Sequence, residues 1–190
     1  MYMKTVEFRR HSIKLSSGNT DLSPVGVRLA HKVGAHELKN KKFTLLFESP
    51  MKRSKETLAA FSESAGDFPD ADPQLFPPHM EVSETEEGMY LWSGACHSAE
   101  LLNRDMMEAV LAEEPERAKA LASKSALSFK KWLTALPENT HALVVGHSPF
   151  MELIAFGLFG EIVPQLQPCE GFCVLEQDHQ YKLERLTPVQ

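Results

Sequence analysis

The sequence lacks the features that mark several specialised classes of protein. Its three cysteines, Cys96, Cys169 and Cys173, are too few and too scattered for a disulfide framework. No apolar run approaches the ~20 residues that a transmembrane helix needs. The first four residues, Met1-Tyr2-Met3-Lys4, lack the apolar centre of a secretory signal. We therefore expect a cytoplasmic protein, with Cys169 and Cys173 as small core side chains.

An excess of basic charge is also missing. With 20 basic and 26 acidic residues the net charge is −6, which argues against nucleic acid or an anionic membrane as the main partner. No Gly-rich P-loop, GxGxxG fingerprint or CxxC pair occurs, so nucleotide and zinc sites are not indicated. A hydrophobic content of 43% over 190 residues is typical of one globular domain, and we predict a single domain over residues 1–190.

Strand and helix patterns alternate along the chain. The alternation of apolar residues over 6–8 and the apolar runs at 43–47 and 142–146 predict buried strands, and Ser-Pro pairs at 23–24, 49–50 and 148–149 predict helix starts. Residues 171–176 and 181–186 predict a closing hairpin. The expected fold is α/β, a three-layer α/β/α arrangement with a mostly parallel central sheet and a C-terminal antiparallel hairpin.

Residues 64–97 are the least regular part of the chain. Gly66, Pro69, Pro73, Pro77 and Pro78, with a group of acids, predict a long connection, with one short strand near Gln74-Leu75-Phe76. Connections of this length are often lids or substrate-binding inserts. Two helical stretches follow from Ser98, the second beginning at Pro115.

Cationic and imidazole side chains follow three of the predicted strands. Arg10 and His11 end the first, Arg53 lies four residues beyond Ser49, and His147 directly follows Gly146. Ligands of open α/β sheets bind at the carboxyl ends of the strands. Arginine forks bind phosphate oxygens in pairs, so this edge predicts a site for a dianion. Taken alone, either histidine is more often a partly buried structural residue, and Arg9 is read as a salt-bridging or surface residue.

Three segments resemble the signatures of the histidine phosphatase superfamily, which includes phosphoglycerate mutases and many phosphatases. They are Arg10-His11, the run Ser49-Pro50-Met51-Lys52-Arg53-Ser54-Lys55-Glu56-Thr57, and Val145-Gly146-His147-Ser148-Pro149. Leu22-Ser23-Pro24-Val25-Gly26 matches a further family pattern. The resemblance runs from about Val6 to the final hairpin, leaves 64–97 unmatched, and is greatest to the small phosphohistidine phosphatases of the SixA type.

The resemblance implies a role for each of these groups. His11 is the implied nucleophile, which becomes transiently phosphorylated; Arg10 and Arg53 hold the phosphoryl group, and His147 donates a further hydrogen bond. A nucleophilic imidazole has to be neutral, and two adjacent guanidiniums lower its pKa from about 6.5. Neither a metal ion nor a cofactor is implied.

The chain departs from the family pattern at two places. Ser12 stands where the family usually has glycine after the histidine. The side chains of Ser12, Asn19 and Ser148 are candidate hydrogen-bond donors to the substrate. Many members supply a glutamate from the segment between the second arginine and the second histidine to protonate the leaving oxygen, whereas SixA-type members have none. In this chain, four glutamates lie within the irregular residues 64–97; we favour Glu81, with Glu84, Glu86 and Glu87 as alternatives.

The sequence thus predicts a metal-independent phosphatase that hydrolyses a phosphomonoester or phosphohistidine through a phosphohistidine intermediate on His11. The partner is a phosphorylated small molecule or a phosphohistidine protein. Two alternatives remain: a mutase-type phosphoryl transferase, and a non-catalytic protein that binds a phosphorylated ligand. Neither substrate identity nor oligomeric state follows from the sequence.

Overall fold

The computed structural model describes residues 3–16, 21–77 and 104–186, together with Gly88, Tyr90, Ser93 and Ala99. These residues form strands and helices that alternate over most of the chain, and Gly34–Leu38 continues the first helix as a short π-helix. In chain order the elements are β1 Met3–Arg10, α1 Pro24–Val33, β2 Leu45–Glu48, α2 Lys52–Ala65, β3 Gln74–Leu75, α3 Met106–Glu113, α4 Pro115–Ala135, β4 His141–Gly146, α5 Phe150–Phe159, β5 Gly171–Gln177 and β6 Gln180–Arg185.

Contacts divide the chain into two compact units. The first comprises residues 1–76, 137–146 and 167–190, and contains all six of these strands with α1 and α2. The second comprises residues 77–136 and 147–166, and contains α3, α4 and α5. The single domain over 1–190 stays a prediction.

The strands form one sheet in the order β3-β2-β4-β1-β5-β6. The pairs β3–β2, β2–β4 and β4–β1 are parallel, whereas β5 runs antiparallel to both β1 and β6. This topology confirms the predicted α/β class, the mostly parallel sheet and the closing hairpin. Arg10 of β1 lies opposite Gly146 of β4, and Glu48 of β2 lies opposite Val145. The carboxyl ends of three strands therefore meet at one edge.

Apolar side chains of β1 form the centre of the first unit. Val6 and Phe8 are completely buried, as their alternation predicted. The Phe8 ring centroid lies 5.9 Å from that of Phe76, which directly follows β3, and 5.1 Å from that of Phe172 on β5, so the Phe8 ring packs against two other aromatic rings. Burying such aromatic side chains contributes about 2–3 kcal/mol each to stability.

The alternate residues of β1 form a buried cluster of charges. Arg9 donates from Nε to Glu7 at 2.7 Å, and from a terminal nitrogen to Glu37 at 2.8 Å and to the Cys169 carbonyl at 3.0 Å. The Lys41 ammonium donates to the second Glu7 oxygen at 2.6 Å. The salt-bridging prediction for Arg9 is confirmed and the surface one is wrong, because this side chain is only 1% exposed.

Two of the three Ser-Pro pairs do not begin their helix in the predicted way. Ser23 does cap α1, since its hydroxyl oxygen accepts from the Gly26 amide at 3.0 Å. Helix α2 begins only at Lys52, and the Ser49 hydroxyl donates instead to Ser54 at 2.9 Å. Helix α5 begins at Phe150, with Pro149 rather than Ser148 at the cap position.

The second unit is a helical cluster. Helix α4 begins at Pro115 as predicted, and its inner face includes the buried Leu121 and Phe129. Gly157 of α5 lies so close to α4 that a β-carbon there would stand 2.1 Å from the Ala122 carbonyl oxygen. Close helix packing therefore requires glycine at this position. Within the described residues, none of the helices combines the length and the apolar character that crossing a membrane demands.

Candidate active site

His11 stands at the carboxyl end of β1, at the edge where three strands end. Its amide donates to the Gly146 carbonyl of β4 at 3.0 Å, and the amide of Arg10 donates to the Glu170 carbonyl at 2.8 Å. The backbone of the Arg10-His11 pair is therefore held from both neighbouring segments. The His11 side chain is 6% exposed.

The ring orientation of His11 determines which nitrogen can react. Nδ1 lies 2.7 Å from the backbone carbonyl oxygen of Ser12. A carbonyl oxygen only accepts hydrogen bonds, so Nδ1 carries the proton in this contact and Nε2 keeps its lone pair. The structure thus selects the tautomer that a nucleophilic Nε2 requires.

Burial and nearby cations keep this imidazole neutral. Burial lowers the pKa of His11 to about 3, and the guanidiniums of Arg53 and Arg10 act in the same direction, opposed by the hydrogen bond to Ser12. The Lys14 ammonium also lowers the pKa of His11. We call Arg10, Lys14 and Arg53 the cationic cluster. Because burial and this positive charge both disfavour imidazolium, His11 is uncharged at neutral pH.

Helix α2 connects the arginine of its first turn to the histidine loop through Thr57. The Thr57 hydroxyl donates to the Arg53 carbonyl at 2.7 Å and accepts from the Ser12 amide at 3.0 Å. Thr57 and Ser12 are both completely buried. One hydroxyl therefore sets the position of α2 relative to the residue that follows the nucleophile.

The remainder of the described loop is held against α1 and α2. The Ser12 hydroxyl donates to the Gly26 carbonyl at 2.7 Å, and the Leu22 amide donates to the Glu56 carboxylate at 2.7 Å. A β-carbon on Gly26 would lie 2.2 Å from the Ile13 carbonyl oxygen. Only glycine permits α1 to approach this loop so closely, which explains why the pattern carries glycine there.

His147 and Ser148 belong to the second unit, where the start of α5 is anchored by a buried carboxylate. Glu152, fully buried, accepts a hydrogen bond from the Ser148 hydroxyl and another from the Leu166 amide at 2.9 Å. The Met151 amide donates to the His147 carbonyl at 3.2 Å. The backbone around His147 is thus ordered by its own helix.

No metal-binding group is formed by the described residues, since no three side chains of His, Cys, Asp or Glu come together among them. The residues that gather in the first unit are instead one neutral imidazole and three cations. Such a set is suited to binding and attacking an oxyanion.

Comparison with protein families gives a match over residues 6–172 to the model described as histidine phosphatase superfamily (branch 1). The chain belongs to the histidine phosphatase superfamily. The family predicted from the sequence is therefore confirmed. Comparison with curated protein sequences gives no match.

Several solved structures share this fold. A phosphoglycerate mutase from Bacillus anthracis str. Sterne aligns with a TM-score of 0.71 and 16% identity, over 99% of this chain and 94% of the other. A phosphoserine phosphatase from Entamoeba histolytica, in complex with 3-phosphoglyceric acid, aligns with a TM-score of 0.61 and 16% identity, over 97% and 98%. The protein histidine phosphatase SixA, complexed with tungstate, aligns with a TM-score of 0.56 and 13% identity, over 95% and 94%.

Some of the candidate site residues predicted from the sequence lie outside the part of the chain that the structure describes. Arg10, His11 and Arg53 come together in the first unit, while Asn19 and the four candidate glutamates, Glu81 included, lie outside the described residues. Sequence reasoning missed Lys14 and gave Thr57 no role. The available signal for Thr57 was its spacing of four residues from Arg53, which places the two on one helix face.

Proposed function

We propose that this chain is a metal-independent phosphatase that hydrolyses a phosphomonoester or a phosphohistidine through a phosphohistidine intermediate on His11. The observation that carries the proposal is the neutral His11 imidazole, protonated on Nδ1 through Ser12 and surrounded by the cationic cluster. A neutral imidazole beside fixed positive charges can attack an anionic phosphoryl group without an additional base.

The proposed reaction has two displacements. The Nε2 lone pair forms a bond to phosphorus, and the bond from phosphorus to the leaving group breaks with its electron pair on the leaving atom, which takes up a proton. A water molecule then attacks phosphorus, the bond to Nε2 breaks, and inorganic phosphate leaves. Glu81 remains the proposed proton donor for the first step, with Glu84, Glu86 and Glu87 as alternatives.

The guanidiniums of Arg10 and Arg53 are proposed to bind the phosphoryl oxygens and to stabilise the charge of the transition state. We also propose that His147 donates a hydrogen bond to the phosphoryl group. Two features support this proposal: the family motif that surrounds His147, and its position directly after Gly146, the residue opposite Arg10 in the sheet. Asn19 is kept as a proposed ligand from the first loop.

Ser12 and Ser148 receive a different proposed role from the one expected at first. Each hydroxyl has a single proton, and the structure assigns those protons to Gly26 and Glu152 respectively. We propose that both serines position the histidines that precede them rather than bind the substrate.

Trapping of the intermediate tests the function directly. Wild type, His11→Ala and the exposed control His179→Ala are incubated with para-nitrophenyl phosphate in EDTA. We expect hydrolysis in wild type and control and none in His11→Ala. With a phosphate-labelled substrate, acid-labile and base-stable label should appear on His11. Loss of wild-type activity in EDTA, or label on another residue, would contradict the mechanism.

The same experiment distinguishes a mutase. If the labelled phosphoryl group returns to an added alcohol rather than to water, the chain is a phosphoryl transferase. Tight phosphate binding by wild type without any label or turnover identifies a binding protein.

A further inference from the structure

Strand β6 forms one outer edge of the sheet. Among the residues that the structure describes, it pairs with β5 alone. At the end of this pair the Leu186 amide donates to the Gly171 carbonyl at 3.4 Å. The direction of the backbone hydrogen bonds alternates along an antiparallel strand, so Lys182 and Glu184 also direct their amides and carbonyls toward β5. Leu183, between them, directs both of its backbone groups away from β5.

Two opposite charges flank Leu183 on this edge. The Lys182 ammonium lies 2.6 Å from the Glu184 carboxylate, as alternate residues of a strand share one face of the sheet. Their side chains are 71% and 46% exposed, so a second molecule can reach both charges. Leu183 lies on the opposite face and is half-buried. The edge therefore presents a cation, a leucine and an anion in succession.

This order of charges selects one register for two antiparallel copies of β6. Pairing about a twofold axis places one residue opposite its own copy. With Leu183 on the axis, Lys182 of each copy lies opposite Glu184 of the other, and Tyr181 lies opposite Arg185. With Lys182 on the axis two ammoniums face each other, and with Glu184 there two carboxylates do. Opposite charges that face each other across strands stabilise a pair, whereas like charges destabilise it.

The same register also satisfies the backbone at its centre. Because the amide and the carbonyl of Leu183 point away from β5, each copy can donate to the other and accept from it. Unpaired groups along a sheet edge are a ready template for a further strand. Charge and backbone direction thus agree on Leu183 as the central residue.

We infer that β6 is an interface between two copies of this chain, which pair antiparallel about Leu183 and join their sheets into one. A second copy fits this edge because its own order of charges, read in the opposite direction, is the complement of the first. Strand β6 has only six residues, so the buried area lies below the roughly 1,600 Å² of a standard interface. The dimer is therefore weak, and its population rises with protein concentration.

Reversal of the two charges tests the partner and the register together. Analytical ultracentrifugation over a series of concentrations compares wild type with Lys182→Glu, Glu184→Lys and the double variant. Each single reversal should weaken dimerisation roughly tenfold or more, because it places like charges opposite each other twice. The double variant exchanges the charges and should associate within about threefold of wild type. Lys39→Glu makes the same change in net charge as Lys182→Glu at another exposed position and should dimerise like wild type.

Mixing the two single variants provides a further test. A chain with two glutamates at 182 and 184 complements a chain with two lysines there, so Lys182→Glu and Glu184→Lys should form a mixed dimer although neither dimerises well alone. Wild type that stays monomeric at every concentration would overturn the inference. So would a dimer that the single reversals leave intact, or single variants that fail to associate with each other.

Cysteine crosslinking measures the register independently of charge. In the inferred dimer the two α-carbons of residue 183 are about 5.5 Å apart, within the range of a disulfide. Gln180 lies opposite residue 186, which places the two copies of Gln180 about 20 Å apart. Under oxidising conditions Leu183→Cys should form a covalent dimer, while Gln180→Cys and wild type should not. Equal crosslinking at 180 and 183, or none at 183, would contradict the proposed pairing.

Discussion

Nδ1 of His11 lies 2.7 Å from the carbonyl oxygen of Ser12, and this contact directs the lone pair of the ring onto Nε2. Burial of the same ring, together with the nearby cationic cluster, lowers its pKa to about 3, although the hydrogen bond to Ser12 acts in the opposite direction. The local backbone therefore sets the orientation of the ring, and burial is the main reason that the ring is neutral.

Stability should depend on pH through His11. Between pH 6.5 and 3 the histidine is protonated in the unfolded chain but not in the folded protein, so the unfolded state binds more protons and stability falls as the pH is lowered. We expect wild type to lose about 3 kcal/mol more than His11→Asn between pH 6.5 and pH 4, since each pKa unit is worth about 1.4 kcal/mol. Urea denaturation at several pH values measures this difference. The exposed control His179→Asn should follow wild type, and equal slopes for wild type and His11→Asn would contradict the prediction.

The charge and the shape of Arg53 should have separable effects. Arg53→Lys keeps the positive charge but loses the planar fork, so kcat/KM for an aryl phosphate should fall roughly 100-fold while the acid limb of the pH profile stays below about pH 4. Arg53→Met also removes the charge, which raises the pKa of His11 part of the way toward 6.5 and moves the acid limb to higher pH. Identical pH profiles for the two variants would show that Arg53 does not act on His11.

Thr57 should matter through its hydroxyl rather than its size. Thr57→Val keeps the shape of the side chain but leaves the buried Ser12 amide without its acceptor and removes the donor to the Arg53 carbonyl. We expect a loss of about 1–3 kcal/mol in the free energy of unfolding, together with a lower kcat. Thr57→Ser retains the hydroxyl and should keep most of both quantities. Chemical denaturation and steady-state kinetics provide the two measurements.

Two ion pairs of similar length should differ greatly in their contribution to stability. Arg9→Met removes a cation from the buried carboxylate of Glu7 and from the partly exposed one of Glu37, and we expect a loss of about 3–5 kcal/mol. Lys182→Met breaks a 2.6 Å pair with Glu184 in which both side chains are substantially exposed, and we expect less than about 1 kcal/mol. Thermal or urea denaturation compares the variants, and comparable losses would contradict the assigned importance of burial.

Much of the fold follows from patterns between near neighbours in the chain. The alternation of Val6 and Phe8 predicted the inner face of β1, and the apolar run 142–146 predicted β4. The helix starts were less predictable, because a serine before proline can cap a helix or donate elsewhere. Ser23 caps its own helix, whereas Ser49 donates to Ser54 and Ser148 to Glu152.

Arg9 and Arg10 show why adjacent residues could not be assigned from sequence alone. They differ by one position in a strand, so their side chains leave opposite faces of the sheet. Arg9 meets two carboxylates and the carbonyl of Cys169, a residue 160 positions away, while Arg10 lies close enough to His11 to lower its pKa. The partner of a buried charge depends on what the fold brings to that face.

By itself the sequence determined the class of fold and the family, and it named His11, Arg10 and Arg53 as candidate site residues, because these depend on local periodicity and on short motifs at strand ends. Only the tertiary structure decided that His11 is protonated on Nδ1, that Thr57 connects its loop to Arg53, and that Lys14 joins the cationic cluster. The first depends on how the His11 ring is oriented against its neighbour in the chain, and the other two depend on segments as far as 45 positions apart and on how the strands and helices pack.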